Sequence, residues 1–197
     1  SDKIIQPYQV FLWLEQILRG LHFAHEKGLH HGNLCAENIL LSNDYKIKIA
    51  NFQIASFCKN SFKDHSIMYK APEFITKGEV TLKSDIWSLG VLLYRMLTGK
   101  FPFEGTNESI LLKEILKKTV LWPADFEKAE SNTIEGALKY FVNQMLTSSQ
   151  NKRPSAKELI QAVSRCRPWI HDTQRISWQK ALSSYLEKNK KFERFKI

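Results

Sequence analysis

Apolar side chains recur at helical spacing along most of the chain. From Val10 to His25 the apolar positions fall every three or four residues, and Gly28 provides a stop signal just beyond them. Residues 83–98 are apolar on nearly every side, which predicts a helix in the middle of a core. The same spacing predicts further helices over 107–118, over 133–146, from Pro154 at a first helical position through Val163, and over 173–189.

A different pattern separates the first helix from the central one. Residues 38–41 and 45–49 are short β-prone runs, and the three residues between them have a turn composition. Residues 52–71 show no clear period and are predicted to form a loop that ends at Pro72. The sequence therefore predicts a fold that is mainly α with small β-hairpins.

Composition places the chain among soluble globular proteins. It has 197 residues, of which 43% are apolar and 25% charged, and it lacks a run of about 18 apolar residues that would span a membrane. Its first residues lack the layout of a signal peptide. Cys35, Cys58 and Cys166 are odd in number and widely spaced, so we expect neither a disulfide framework nor a zinc site. This cysteine usage indicates an intracellular, cytoplasmic location.

The net charge of +9 is concentrated near the C-terminus. Residues 160–197 hold nine of the 29 Lys and Arg residues but three of the 20 Asp and Glu residues. An amphipathic stripe with basic residues mostly beside it predicts a helix that binds a membrane surface, a calmodulin-like groove or an acidic protein. The alternative is that its aromatic residues dock it onto the chain's own fold, and a nucleic-acid partner is not expected. The candidate interaction residues are Trp178, Leu182, Tyr185, Leu186, Lys188, Lys190 and Lys191.

Chemistry-bearing motifs lie between the first and the last predicted helix. Residues 31–38 read H-G-N-L-C-A-E-N, against H-R-D-L-x-x-x-N in the catalytic loop of protein kinases. Four further landmarks follow in that family's order: N-F-Q at 51–53 for D-F-G, A-P-E at 71–73, a run at 83–90 similar to the central kinase helix, and a run at 151–155 similar to the opening of the last helix. The chain thus resembles the C-terminal lobe of a eukaryotic protein kinase.

Two departures from the family fall on the residues that carry its reaction. In kinases one Asp accepts the proton of the substrate hydroxyl, and a second Asp holds magnesium against the phosphates. Asn33 replaces the first and, as an amide, has no basic site near neutral pH. Asn51 replaces the second and brings no negative charge. Asn38, which the resemblance implies supports a second metal ion, is retained.

Three more positions differ from the family pattern. Cys35 stands where many kinases place a Lys near the transferred phosphate, so we expect a fixed positive charge to be lost. The Cys35 thiol is interpreted as a small filler, with a reactive thiol as the alternative. Gln53 replaces a flexible Gly, and Gly32 replaces an Arg that holds a phosphorylated loop in the family.

The resemblance also implies structural roles for residues around the cleft. It implies that His31 packs against Phe52 and that Asp85 hydrogen-bonds the backbone of the catalytic loop. It further implies a buried ion pair between Glu73 and Arg153. All five residues would then hold the site in shape without taking part in its chemistry.

These departures lead to the expectation of a pseudokinase, a catalytically inactive scaffold that is not an enzyme and has no cofactor or metal. The expected domains are a kinase-like lobe at 1–167 and a basic extension at 168–197, with the N-terminal lobe on a missing upstream stretch or lacking altogether. The alternative is a divergent Ser/Thr-type kinase or nucleotide-binding regulator that retains ATP, magnesium and residual activity. Its candidate substitute bases are Glu37, Asp44 and Asp64.

Overall fold

The computed structural model describes residues 5–42, 46–52, 66–116 and 120–166. In that part of the chain the order of elements is α1 (Pro7–His25), β1 (Ile39–Leu41), β2 (Ile47–Ile49), α2 (Pro72–Lys77), α3 (Leu82–Thr98), α4 (Glu108–Leu116), α5 (Ala124–Glu127), α6 (Ile134–Met145) and α7 (Ala156–Cys166). Short 3₁₀ helices lie at Ala36–Asn38, Ser66–Tyr69 and Gln150–Lys152.

Helices α1 and α3 form the centre of the core. The stripe of α1 that the sequence pattern selects is buried, and α3 is buried around most of its circumference. Helix α1 packs against α3, α6, α7 and β2, and α3 packs against α6 as well. Burying one large aliphatic side chain contributes about 1.5–3 kcal/mol to the free energy of folding, so the packing of these two helices is a main source of stability. The segment that follows α1 is held on these two helices.

Helices α3 and α6 approach each other closely at Gly90. A Cβ atom at Gly90 would lie 2.8 Å from Cβ of Met145, closer than real Cβ atoms come, and 3.0 Å from Cδ2 of Leu146, which is a tight contact. The start of α3 is fixed by a capping box, in which Thr81 and Ser84 each accept a hydrogen bond from the other's backbone N–H. The position of α3 relative to its neighbours is therefore well determined.

The hairpin β1–β2 joins the end of the first loop to the core. The strands pair antiparallel with Leu40 opposite Lys48, and the N–H of Ala50 donates to the carbonyl of Asn38 at 2.9 Å. The side chain of Gln16 on α1 accepts a hydrogen bond from the N–H of Ile47. The hairpin consequently brings residues 50–52 beside the loop that ends at Asn38.

The structure confirms the helices predicted over 10–25, 83–98 and 133–146, as well as the hairpin. The helix predicted over 107–118 is confirmed as far as Leu116, and residues 117 and 118 lie outside the described residues. The prediction that places Pro154 at the first helical position is wrong, because α7 begins at Ala156. Ser155 and Glu158 fix this start by exchanging side-chain to backbone hydrogen bonds. The predicted loop before Pro72 is partly helical, at Ser66–Tyr69, and the short α2 and α5 were not predicted.

Other predictions concern the tail and the membrane. The helix predicted over 173–189 and the extension at 168–197 lie outside the described residues, so the division of the chain at residue 167 stays a prediction. Among the helices that the structure describes, none combines the length and the apolar character needed to cross a membrane.

Candidate functional site

The carboxylate of Asp85, in the first turn of α3, organises the loop that follows α1. Its Oδ2 accepts a hydrogen bond from the N–H of His31 at 2.7 Å, and its Oδ1 accepts one from the N–H of Gly32 at 2.8 Å. Nε2 of His25, at the end of α1, lies 2.9 Å from the same Oδ2. Asp85 is 1% exposed, so these three donors satisfy a charge that would otherwise be buried alone. The next residue, Asn33, is positioned as a result.

The buried ring of His31 links this loop to the segment after β2. Nε2 lies 2.8 Å from the carbonyl of Ala50, which can only accept, so Nε2 carries the proton. Nδ1 accepts from the N–H of Asn33 at 3.1 Å, which requires the same neutral tautomer. Burial lowers the pKa of His31 more than the Ala50 hydrogen bond and Asp85 raise it. The ring also packs on Phe52, with centroids 4.7 Å apart.

Gly32 adopts a left-handed backbone conformation, with φ of 77°. This region carries little cost for glycine and favours it over residues with a Cβ. The residue therefore turns the chain between the two N–H groups that Asp85 holds and Asn33, which follows.

Lys70 places an ammonium group against Asn33 from a different segment of the chain. Its Nζ donates to the carbonyl of Gly32 and to Oδ1 of Asn33, both at 3.1 Å, and it lies 5.2 Å from the ring centroid of Phe74. Lys70 is 5% exposed. Because an ammonium group only donates, it fixes the Asn33 amide with its oxygen toward Lys70. Lys70 therefore places a positive charge beside the Asn33 side chain.

The amides of Asn38 and Asn51 bond directly to each other. Nδ2 of Asn38 donates to the carbonyl of Asn33 at 2.8 Å and to Sγ of Cys35 at 3.3 Å. Its Oδ1 therefore faces the other way and accepts from Nδ2 of Asn51 at 2.8 Å. Asn51 adopts φ of 62°, a left-handed conformation that Asn tolerates better than most residues.

The thiol of Cys35 is buried and chemically quiet. Burial, together with a hydrogen bond and charge from Glu37, raises its pKa to about 12. A thiol with so high a pKa is almost entirely protonated at neutral pH and is a poor nucleophile. The filler interpretation fits, and Glu37 is directed toward this thiol. The other candidate bases, Asp44 and Asp64, lie outside the described residues, as does Gln53.

Glu73 and Arg153 form a buried ion pair with two hydrogen bonds, next to the start of α3. Nη1 of Arg153 donates to Oε1 of Glu73 at 2.7 Å and Nη2 donates to Oε2 at 3.0 Å. Ser84 donates to Oε1, and Arg153 also bonds the carbonyl of Lys83. Burial raises the pKa of Glu73, but the hydrogen bonds and charge of Arg153 outweigh it and hold the pKa below the ordinary value.

Magnesium, which the kinase resemblance implies at Asn38 and Asn51, does not fit the side chains found there. Both are neutral amides, and the oxygen of Asn38 already accepts a hydrogen bond from Asn51. Magnesium prefers carboxylate and phosphate oxygens in an octahedral arrangement. Across the part of the chain that the structure describes, no group of three or more His, Cys, Asp and Glu residues is arranged to hold a metal ion.

The structure brings most of the sequence-predicted site residues together. A single hydrogen-bonded cluster contains His31, Asn33, Asn38 and Asn51. The candidate interaction residues lie outside the described residues: Trp178, Leu182, Tyr185, Leu186, Lys188, Lys190 and Lys191.

Sequence reasoning missed Lys70 and the contact of His25 with Asp85. Both join positions far apart in the chain, and the only signal for Lys70 is its place just before A-P-E.

Comparisons with known proteins agree on one family. The family model described as protein kinase domain matches residues 1–163. Serine/threonine-protein kinase 17A of Oryctolagus cuniculus is 31% identical over 176 residues, which cover 86% of this chain and 42% of that protein. Serine/threonine-protein kinase PLK4 of Xenopus laevis is 35% identical over 153 residues, covering 75% of this chain and 15% of that protein. The chain spans less than half the length of these relatives.

The expectation that the chain is not an enzyme is wrong. The family match and the relatives named as serine/threonine kinases point to an enzyme. Asn33 and Asn51 remove a base and a charge, but the physical consequence of losing a general base is a slower reaction, typically by about 10²–10⁴-fold. The substitutions therefore do not by themselves establish a protein without activity.

Proposed function

Because this chain belongs to the protein kinase domain family, we propose that it is the C-terminal lobe of a divergent serine/threonine protein kinase that transfers a phosphoryl group slowly. The observation that carries the proposal is the framework around Asp85. Its carboxylate holds the backbone N–H groups of His31 and Gly32, and Asn33 follows directly. These hydrogen bonds hold the loop in a shape that can position a substrate hydroxyl, even though Asn33 is an amide.

Positioning and proton transfer contribute separately to such a reaction. The hydroxyl oxygen of the substrate attacks the terminal phosphorus of ATP, and the bond from that phosphorus to the leaving ADP oxygen breaks. Asn33 cannot accept the hydroxyl proton, so the proton passes to a phosphoryl oxygen or to water. Orientation alone can provide several kcal/mol of the barrier reduction, while a general base adds about 10²–10⁴-fold. We therefore expect a slow transfer of the terminal phosphoryl group, with ADP and the phosphorylated substrate as products.

The proposal is tested by restoring the base. In a phosphotransfer assay with ATP and a mixed serine/threonine peptide library, Asn33→Asp is expected to raise the rate by about 10²-fold, whereas Asn33→Ala lowers it. Asn107→Asp is the matched control, since Asn107 caps α4 through its side-chain oxygen and a carboxylate accepts the same hydrogen bond. Equal rates for all three variants and the unmodified chain would show that the activity comes from a contaminant.

A second proposed function is protein binding by the basic extension at 168–197, which the concentration of positive charge favours. An acidic protein is the proposed partner, and its recognition does not depend on the rate of transfer. Pull-down experiments with the whole chain and with a chain ending at residue 167 test it. Loss of the captured proteins on truncation supports the extension, and an unchanged set moves the interaction to the lobe.

A further inference from the structure

Donor and acceptor requirements fix the orientation of the side-chain amides of Asn38 and Asn51. The backbone carbonyl of Asn33 accepts only, so the group of Asn38 that faces it is the NH₂. The Asn38 oxygen then faces Asn51, whose NH₂ must donate. Rotating the Asn38 amide by half a turn would set its oxygen against the Asn33 carbonyl oxygen. The same rotation would set its NH₂ against the NH₂ of Asn51. The arrangement is therefore the one with all its contacts satisfied.

From this chain of contacts we infer that Asn51 excludes a divalent cation from the oxygen of Asn38, one of the positions where the kinase resemblance implies a metal ion. The inference rests on the proposed function and deepens it, since it concerns which form of ATP the cleft accepts. A cation at the Asn38 oxygen would lie beside the Asn51 NH₂, whose hydrogens carry partial positive charge and repel it. It would gain no carboxylate in return, and hard cations bind neutral amides poorly without one.

The backbone at Asn51 allows this inference to be tested with a single side-chain exchange. Its φ of 62° lies in the left-handed region, where Asn and Asp are both enriched. Asn51→Asp therefore keeps the shape of the segment, removes the donor and adds a carboxylate beside the Asn38 oxygen. Asn51→Ala removes the donor without adding a charge, and it separates the two effects.

Manganese without nucleotide is the probe, because its unpaired electrons broaden the NMR signals of nearby groups. In the isotope-labelled whole chain, the side-chain NH₂ signals of Asn38 and Asn51 are expected to persist during a titration with MnCl₂. Asn51→Asp is expected to broaden the Asn38 signal in a saturable way, with affinity at least about tenfold above that of the unmodified chain. Asn51→Ala removes the donor without adding a carboxylate, so it is expected to broaden the Asn38 signal less than Asn51→Asp but more than the unmodified chain. The remote Asn107→Asp is expected to behave like the unmodified chain.

Two results would overturn the inference. The first is saturable broadening of the Asn38 signal in the unmodified chain, and this result does not depend on any variant folding. The second is a folded Asn51→Asp variant, with a dispersed spectrum, that gains no manganese binding. Neither readout involves phosphoryl transfer, so a failure here is distinguishable from a failure of the Asn33 assay.

Discussion

His25 and Asp85 lie sixty residues apart in the chain and meet in a nearly buried contact, with Nε2 of His25 2.9 Å from Oδ2 of Asp85. The contact ties the end of α1 to the start of α3. Since the same carboxylate holds two backbone N–H groups of the catalytic loop, the loop's shape is set by the packing of two core helices. The position of Asn33 is thereby coupled to the stability of the core.

Asp85→Asn is expected to destabilise the chain by about 1–3 kcal/mol, because the amide keeps one accepting oxygen and turns an NH₂ toward a second buried donor. Urea unfolding measures this free energy. Asp125→Asn, on an exposed first turn of α5, is the control and is expected to stay within about 0.5 kcal/mol of the unmodified chain. Equal unfolding midpoints for the two variants would contradict the role given to Asp85.

The Glu73–Arg153 pair predicts a specific pH dependence of stability. The pKa of Glu73 is lowered in the folded chain, so the unfolded chain takes up the proton more readily. Its contribution is complete above the ordinary pKa of 4.5 and is lost as the pH falls through the lower folded value. Unfolding by urea at a series of pH values measures the loss.

Glu73→Gln is expected to flatten this part of the pH profile and to lower stability by about 3–5 kcal/mol, since Arg153 is left buried without its charge partner. The exposed Glu127→Gln serves as the control and is expected to keep the profile of the unmodified chain. A Glu73→Gln profile as steep as that of Glu127→Gln would contradict the prediction.

Lys70 is expected to influence the ionisation of His31. Burial is the main cause of the lowered pKa of His31, and the charge of Lys70 lowers it further. Lys70→Met is therefore expected to raise the pKa of His31, measured by NMR titration of its ring signals. The exposed Lys27→Met removes a charge from the turn that follows α1 and is expected to leave the pKa of His31 unchanged. An unaltered or lower pKa in Lys70→Met would contradict the placement of the ammonium group.

Long elements were predictable because their apolar spacing records which face is buried. Helices α1 and α3 present many turns to the core, and their periods are unambiguous. Helix α2 spans six residues and α5 spans four, too few for a period to show. The start of α7 was misplaced since Pro154 is only permissive for a helix start, whereas the hydrogen bonds of Ser155 and Glu158 determine it.

The site was predictable in outline, because motif spacing locates Asn33, Asn38 and Asn51 in the chain. The orientation of their amides was not, since it depends on contacts with Lys70 and with backbone carbonyls that only the fold brings near. The interpretation of inactivity rested on the lost base at Asn33 together with the lost negative charge at Asn51. A base is one contribution among several, and the contact of Asp85 with the loop backbone, which the resemblance implied, holds the segment before Asn33 in place.

The left-handed backbone at Asn51 can hold either an amide or a carboxylate side chain. Exchanging one amide nitrogen for a carboxylate oxygen leaves φ and the surrounding loop as they are, because both residue types accept this conformation. A negative charge can therefore be added at this position without a change in the backbone of the loop.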